Sequence, residues 1–229
     1  MKAIATAVLA ALAVAAGGKG GPEMTAKLHW HGHDTFRVDG PPVVYVDPYR
    51  LPAGQPKADL ILITHDHSDH CSPADVARLR GPATVVVAPA AAAAMLPGPV
   101  VEIAPGDERT VAGVAVRAIR AYNTDKKFHP KQAGMVGYLF TVGGVSYYHA
   151  GDSDHIPEMA GLRPDVALLP VSGTYVMTAA QAAEAARAIR PKVAVPMHYG
   201  AIVGSEADAA TFSKLLEGSG IEVVVKEKE

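Results

Sequence analysis

The stretch that constrains this chain most is residues 59–70. Residues 59–64 (DLILIT) are an apolar run of the kind that forms a strand buried on both faces, and the run ends directly in His65-Asp66-His67-Ser68-Asp69-His70. In extended backbone alternate residues point the same way, so His65 and His67 can present two imidazoles to one ion. Asp69 and His70, in the turn that follows, can face a second ion beside it. Four ligand-type side chains within six residues are costly to bury unless a cation compensates them. Ser72-Pro73-Ala74-Asp75 then supplies an N-cap, a proline at the first helical position and an acid three residues after the cap, predicting a helix to Arg80.

The same strand-to-loop-to-helix order returns later. DVALLPV reads as a buried strand, and Thr178 with Gln181 forms a capping box for the helix AAQAAEAARAIR, stopped by Pro191. VAVPMHYG is again a strand running into a histidine. Ser205 and Asp208 cap a last helix that ends at Gly218, and IEVVV closes as a strand. Before these, AKLHWHG, DTFRVDG and PPVVYVDPY read as short strands, the last two separated by Gly40-Pro41-Pro42 as in a hairpin. TVVVAP, VVEIAP, TVAGVAVRAIRA, VGYLFTV and VSYYHAG continue as strands, with Gly143-Gly144 a tight turn, so a mostly antiparallel stretch is expected there. No repeat at solenoid spacing and no internal linker divides the chain.

Residues 1–16 (MKAIATAVLAALAVAA) carry one Lys, an apolar run and a small-x-small site at Ala13-Val14-Ala15, the pattern of a secretory signal peptide. The apolar run of 14 residues is shorter than the roughly 20 needed to span a bilayer. Residues 1–22, ending in the linker GGKGGP, are therefore set apart from a domain at 23–229, and the mature chain is expected to be exported. With 21 basic and 23 acidic side chains there is no basic footprint for a nucleic-acid backbone. The single cysteine, Cys71, forms no internal disulfide and is expected to pack behind the histidine cluster.

Taken with AYN, KKFHPK, VGYLF, YYHAGDSD, DVALLPVSGTY and VPMHYG, the His-x-His-x-Asp-His motif resembles the metallo-β-lactamase superfamily, in particular its small metal-dependent hydrolases that include lactonases and lipid phosphodiesterases. The resemblance covers nearly all of residues 24–229 and implies an αββα sandwich holding two divalent ions. Carried over, His65 and His67 bind the first ion, Asp69 and His70 the second, Asp152 bridges both and His198 completes the second site. The family also places a third histidine on the first ion. His129 fills that role, with His149 its competitor. His31 and His33 stand at alternate positions like a ligand pair but are read as packing or pocket residues, and His29 and His155 as structural. Asn123, Tyr147 and Tyr175 are candidates for the pocket wall, and Asp154 for orienting a ligand.

Imidazole and carboxylate donors suit zinc, with manganese or iron as alternatives. Two ions sharing a water bring its pKa towards about 7 and polarise the bond under attack. The expected activity is hydrolysis of a small ester, lactone or phosphodiester by a metal-bridged hydroxide, with Asp69 orienting the nucleophile; lactam hydrolysis is disfavoured. A di-iron redox protein and a non-catalytic metal-binding module of the same fold are the alternatives.

Overall fold

The computed structural model describes residues 20–229, so the expected export segment lies outside the described residues. The first sheet runs in the spatial order β1 (Leu28–Trp30), β2 (Phe36–Val38), β3 (Val44–Val46), β4 (Leu60–Leu62), β5 (Val85–Ala88) and β6 (Val101–Glu102). Its first three strands are antiparallel, and β3 to β6 are parallel. The second sheet contains β7 (Glu108–Val111), β8 (Val114–Arg120), β9 (Val136–Val142), β10 (Val145–His149), β11 (Val166–Pro170), β12 (Val193–Met197) and β13 (Glu222–Val223), adjacent in chain order. Here β7 to β10 are antiparallel, as expected, and β10 to β13 are parallel, whereas β5 and β6, expected in the same antiparallel stretch, pair in parallel in the first sheet.

Strand alternation builds the layers. In β3 and β4, Val44, Val46, Leu60 and Leu62 point into the core between the sheets, whereas Tyr45 and Ile61 point outwards with Ile63. That outer face is covered by α2 (Pro73–Leu79) and α3 (Ala90–Ala93), through Val76, Leu79 and Ala92. On the far side, α4 (Ala179–Ile189) and α5 (Glu206–Leu216) cover β11 and β12 with Ala182, Ala186, Ile189 and Phe212. The result is the four-layer αββα sandwich. Burying each large aliphatic side chain here contributes about 1.5–3 kcal/mol, so both faces of β4 stabilise the strand that carries the histidine cluster.

Local signals are realised where they are chemical. Ser72 caps α2 through Asp75 N–H, and Thr178 with Gln181 closes the capping box of α4. Three details differ from the sequence reading. TVAGVAVRAIRA splits into β7 and β8, because Ala112 and Gly113 adopt φ of 48° and 76° and make a two-residue hairpin turn. A short α1 (Gly21–Thr25) takes in the last two linker residues, where Gly21 N–H donates to Glu222 Oε2 at 2.9 Å. The alanine run at 90–93 is helical.

Candidate metal centre

Parallel strands deliver their chemistry from their C-terminal ends. The loop after β3 carries Asp47, that after β4 carries His65 to His70, that after β10 carries Asp152, that after β11 carries Ser172, and that after β12 carries His198. The β1–β2 turn adds His33, and the loop before β9 adds His129. Gly151, at φ 58°, lets the chain pass so close to Thr64 that an added Cβ would meet Thr64 Cβ at 3.1 Å, and this passage places Asp152 over the cluster.

Two triads result. Ring nitrogens of His65, His67 and His129 lie within 4.8 Å of one another, and so do those of His33, His70 and His198. Asp152 stands between them. Its Oδ2 is 3.3 Å from His129 Nε2 in the first triad and 3.2 Å from His198 Nε2 in the second, and its Oδ1 is 3.4 Å from His70 Nε2. His65 Nε2, His70 Nε2, His129 Nε2 and Asp152 Oδ1 are buried without a hydrogen-bond partner. Orphaned donors of this kind, converging from separate loops, are what a divalent cation requires of a protein.

The outer nitrogens of these rings are engaged. Asp47 Oδ2 meets His70 Nδ1 at 2.9 Å and accepts from Thr64 Oγ1 at 2.6 Å. Having given its proton to Asp47, the Thr64 hydroxyl accepts from His65 Nδ1 at 2.9 Å, which leaves the His65 Nε2 lone pair facing inwards. Asn123 Oδ1 accepts from both the backbone N–H and Nδ1 of His129, at 3.1 and 3.0 Å, and Ser172 Oγ meets His198 Nδ1 at 2.9 Å. With Nδ1 engaged on the outside, each of these rings has Nε2 as the atom it can offer inwards to a cation.

Charge follows the same layout. Burial, followed by the charge of His70, drives the His65 pKa well below its usual value. Burial opposes the charge of His198 too, but the Asp152 carboxylate outweighs it and lifts the pKa to about 8. Asp152 is held well below the usual carboxylate range, because the His198 and His70 charges overcome its desolvation. Asp69 falls to about 2: burial would raise it, but the bond from His33 and the charge of His70 prevail.

Thus the structure brings together His65, His67, Asp69, His70, His129, Asp152 and His198. It does not bring His149 in. That ring ends β10 facing away from the triads, its Nε2 2.9 Å from the Asp34 carbonyl and its Nδ1 accepting from Gly151 N–H. Two further candidates are corrected. Tyr147 donates to the Met24 carbonyl inside the core, and Asp154 is taken up by Thr124 N–H and Lys126 instead of an imidazole. Asn123 supports His129, and Tyr175 lines the cleft. Cys71 packs among the outer-face residues, where burial raises its thiol pKa to about 12. His29 pairs with Asp39 and Glu229. Sequence reading missed Asp47 and Ser172. A polar residue one or two positions after a buried parallel strand, as in VVYVDPY and ALLPVS, is the signal both offered.

The centre opens on a cleft of about 230 Å³ lined by His67, Asp69, Phe128, His129, Asp152, Tyr175 and Ile202. Phe128 and Ile202 are exposed, and the Phe128 ring stands edge-on to Tyr175 with centroids 4.7 Å apart. No Lys or Arg is among the described residues of this wall.

The family model of the beta-lactamase superfamily domain matches residues 27–198. A UPF0173 metal-dependent hydrolase of Thermoplasma acidophilum is 34% identical over 217 residues, covering 89% of this chain and 96% of its own. Among solved structures, one from Parabacteroides distasonis, described as a metal-dependent hydrolase, superposes with a TM-score of 0.79 at 34% identity over 88% of this chain and 93% of that one. Igni18, a metallo hydrolase from Ignicoccus hospitalis, gives 0.71 at 27% identity over 88% and 94%. Fold, donor geometry and relatives agree: the chain belongs to the metallo-β-lactamase superfamily, within its UPF0173 family of metal-dependent hydrolases.

Proposed function

We propose that this protein is a dinuclear hydrolase of small esters or lactones, with phosphodiesters as the neighbouring class. The observation that carries the reading is the position of Asp152 between two imidazole triads. His65, His67 and His129 would hold the first cation, and Asp69, His70 and His198 the second, with one Asp152 carboxylate serving both. Zinc is the expected ion for this donor set. When bound, the cations supply a water reactive near neutral pH and polarise the carbonyl or phosphoryl group under attack.

The residues do the rest. Asp69, ionised and bordering the cleft, is placed to orient the attacking water. Phe128, Tyr175 and Ile202 offer an apolar wall to the group beyond the scissile bond, and a wall without basic side chains favours an uncharged ester or lactone over a multiply charged phosphate. The apolar run at residues 3–16 further supports action outside the cytoplasm; a mature N-terminus near residue 17 is the expected outcome of N-terminal sequencing, and retention of Met1 in the mature protein would overturn this part.

The test is elemental analysis of the purified protein, followed by a screen of aryl esters, lactones, phosphodiesters and lactams. Two zinc ions per chain and ester or lactone turnover that is lost to a chelator and restored by zinc are expected. Turnover indifferent to chelation, or iron accompanied by a flavin, would contradict the reading.

A further inference from the structure

His33 lies in the turn between β1 and β2 and is 2% exposed. Its backbone is left-handed, φ 51°, a strained conformation for a bulky side chain that persists only where the surroundings enforce it. They do so through one carbonyl: Trp30 Nε1 and the His198 N–H both donate to His33 O, at 2.9 and 3.1 Å. The clamp turns the ring into the metal centre, 4.0 Å from the His198 ring and 5.1 Å from that of His70. Its Nε2 stops 3.1 Å from Asp69 Oδ2.

Location alone fits two roles, since the ring shares a triad with His70 and His198. The outward nitrogens separate them. His65, His70, His129 and His198 each have Nδ1 engaged, by Thr64, Asp47, Asn123 and Ser172, and His67 is exposed to solvent. A ligating imidazole almost always has such a partner, which fixes its proton on the outside. His33 has none, and its Nδ1 is buried and unbonded. Its proton therefore sits on Nε2, where an acceptor exists, because a buried N–H without a partner is rarer and costlier than a buried lone pair.

We propose that His33 is a positioning residue for Asp69 and not a cation ligand. His33 Nε2–H donates to Asp69 Oδ2, the oxygen that also faces His70 Nε2 at 3.9 Å, and so fixes the carboxylate with its remaining lone pairs free for the second cation and the attacking water. This rests on the dinuclear reading above. The strained turn, the double clamp on the carbonyl and the unengaged Nδ1 are all accounted for by a ring whose task is to hold a carboxylate.

The variants to compare are His33→Asn, which tolerates left-handed backbone but is too short to reach Asp69, and His33→Gln, which restores a long-reaching amide N–H. His33→Gly, which relaxes the same backbone, repeats the Asn measurement should that variant fail to fold. Zinc content, the visible spectrum of the cobalt-substituted protein, and kcat and KM on 4-nitrophenyl acetate are measured for each. The Asn variant is expected to keep two cations and an unchanged KM, to lose about 10–100-fold in kcat, and to show altered cobalt bands at full stoichiometry. The Gln variant should regain most of the lost kcat. An Asn variant that binds a single cation would make His33 a ligand, and unchanged kcat, or a Gln variant no better than Asn, would reduce it to packing; each overturns the proposal. Wild-type protein that binds fewer than two cations would overturn the dinuclear reading with it, so the two failures are distinguishable.

Discussion

His67, which is exposed, and the buried His129 line the cleft with His65 packed beside them, whereas His70 and His198 are no part of its wall and lie beside His33. The first half of the centre is thus three imidazoles without a carboxylate of its own. In the second, Asp69 lies 3.9 Å from His70 and is gripped by His33. The asymmetry separates tasks: the neutral set suits holding an ion, and the carboxylate-bearing set suits directing a water towards substrate. Two residues join the halves. Asp152 lies 3.2–3.4 Å from ring nitrogens of both, and Asp47 reaches both through their outer nitrogens, directly to His70 and through Thr64 to His65.

Removing the shared carboxylate should have the largest effect. Asp152→Asn leaves both triads facing each other without their common counter-charge, and loss of several kcal/mol of transition-state stabilisation corresponds to a fall of about 10³ or more in kcat/KM. Zinc analysis should show both ions depleted. Asp69→Asn is the sharper cut between the halves: kcat should fall by about 10²–10³ while the first ion remains, read by steady-state kinetics beside metal content. Equal loss of both ions in that variant would erase the distinction drawn between them.

Asp47→Asn and Ser172→Ala test the supporting layer. The first should weaken both ions by about 10–100-fold, and the second should weaken the His198 half alone by about tenfold, as competition with a chelator of known affinity would show. A Ser172→Ala effect on both ions would mean that the halves are not independently supported.

The smallest effect is on stability against pH. With chelator present, the His198 pKa of about 8 lies above its ordinary 6.5, so the folded state holds that proton more tightly than the unfolded chain. The contribution is complete below 6.5 and lost as pH rises through about 8. With zinc bound as proposed, His198 would be a neutral imidazole and would gain nothing from acid. The rise in Tm produced by zinc should therefore widen between those two pH values, by about 2–4 °C for each kcal/mol of linkage, in scanning calorimetry. A constant increment would place the raised pKa elsewhere.

How much of this was legible depended on sequence distance. His65 to His70 declare themselves because one buried strand and its loop carry four donors, and Asp152 and His198 follow from a strand end plus a known pattern. His129 could not be separated from His149 by sequence, because that choice turns on which way the last residue of β10 faces and on Asn123 holding a loop. His33 was harder still. Its role depends on a left-handed turn clamped by His198, a residue 165 positions later in the chain. Asp47 acts through a chain of hydrogen bonds that local propensity does not encode. The layers were readable from period-two alternation and capping boxes; the β7–β8 turn was not, because a left-handed alanine leaves little trace in sequence.

Crystals of the zinc-loaded protein, measured at the zinc absorption edge, would locate the cations themselves. Two anomalous peaks are expected about 3.5–4 Å apart, one against His65, His67 and His129 and the other against His70 and His198, with Asp152 between them. A single peak, or a pair that leaves Asp152 untouched, would contradict the account.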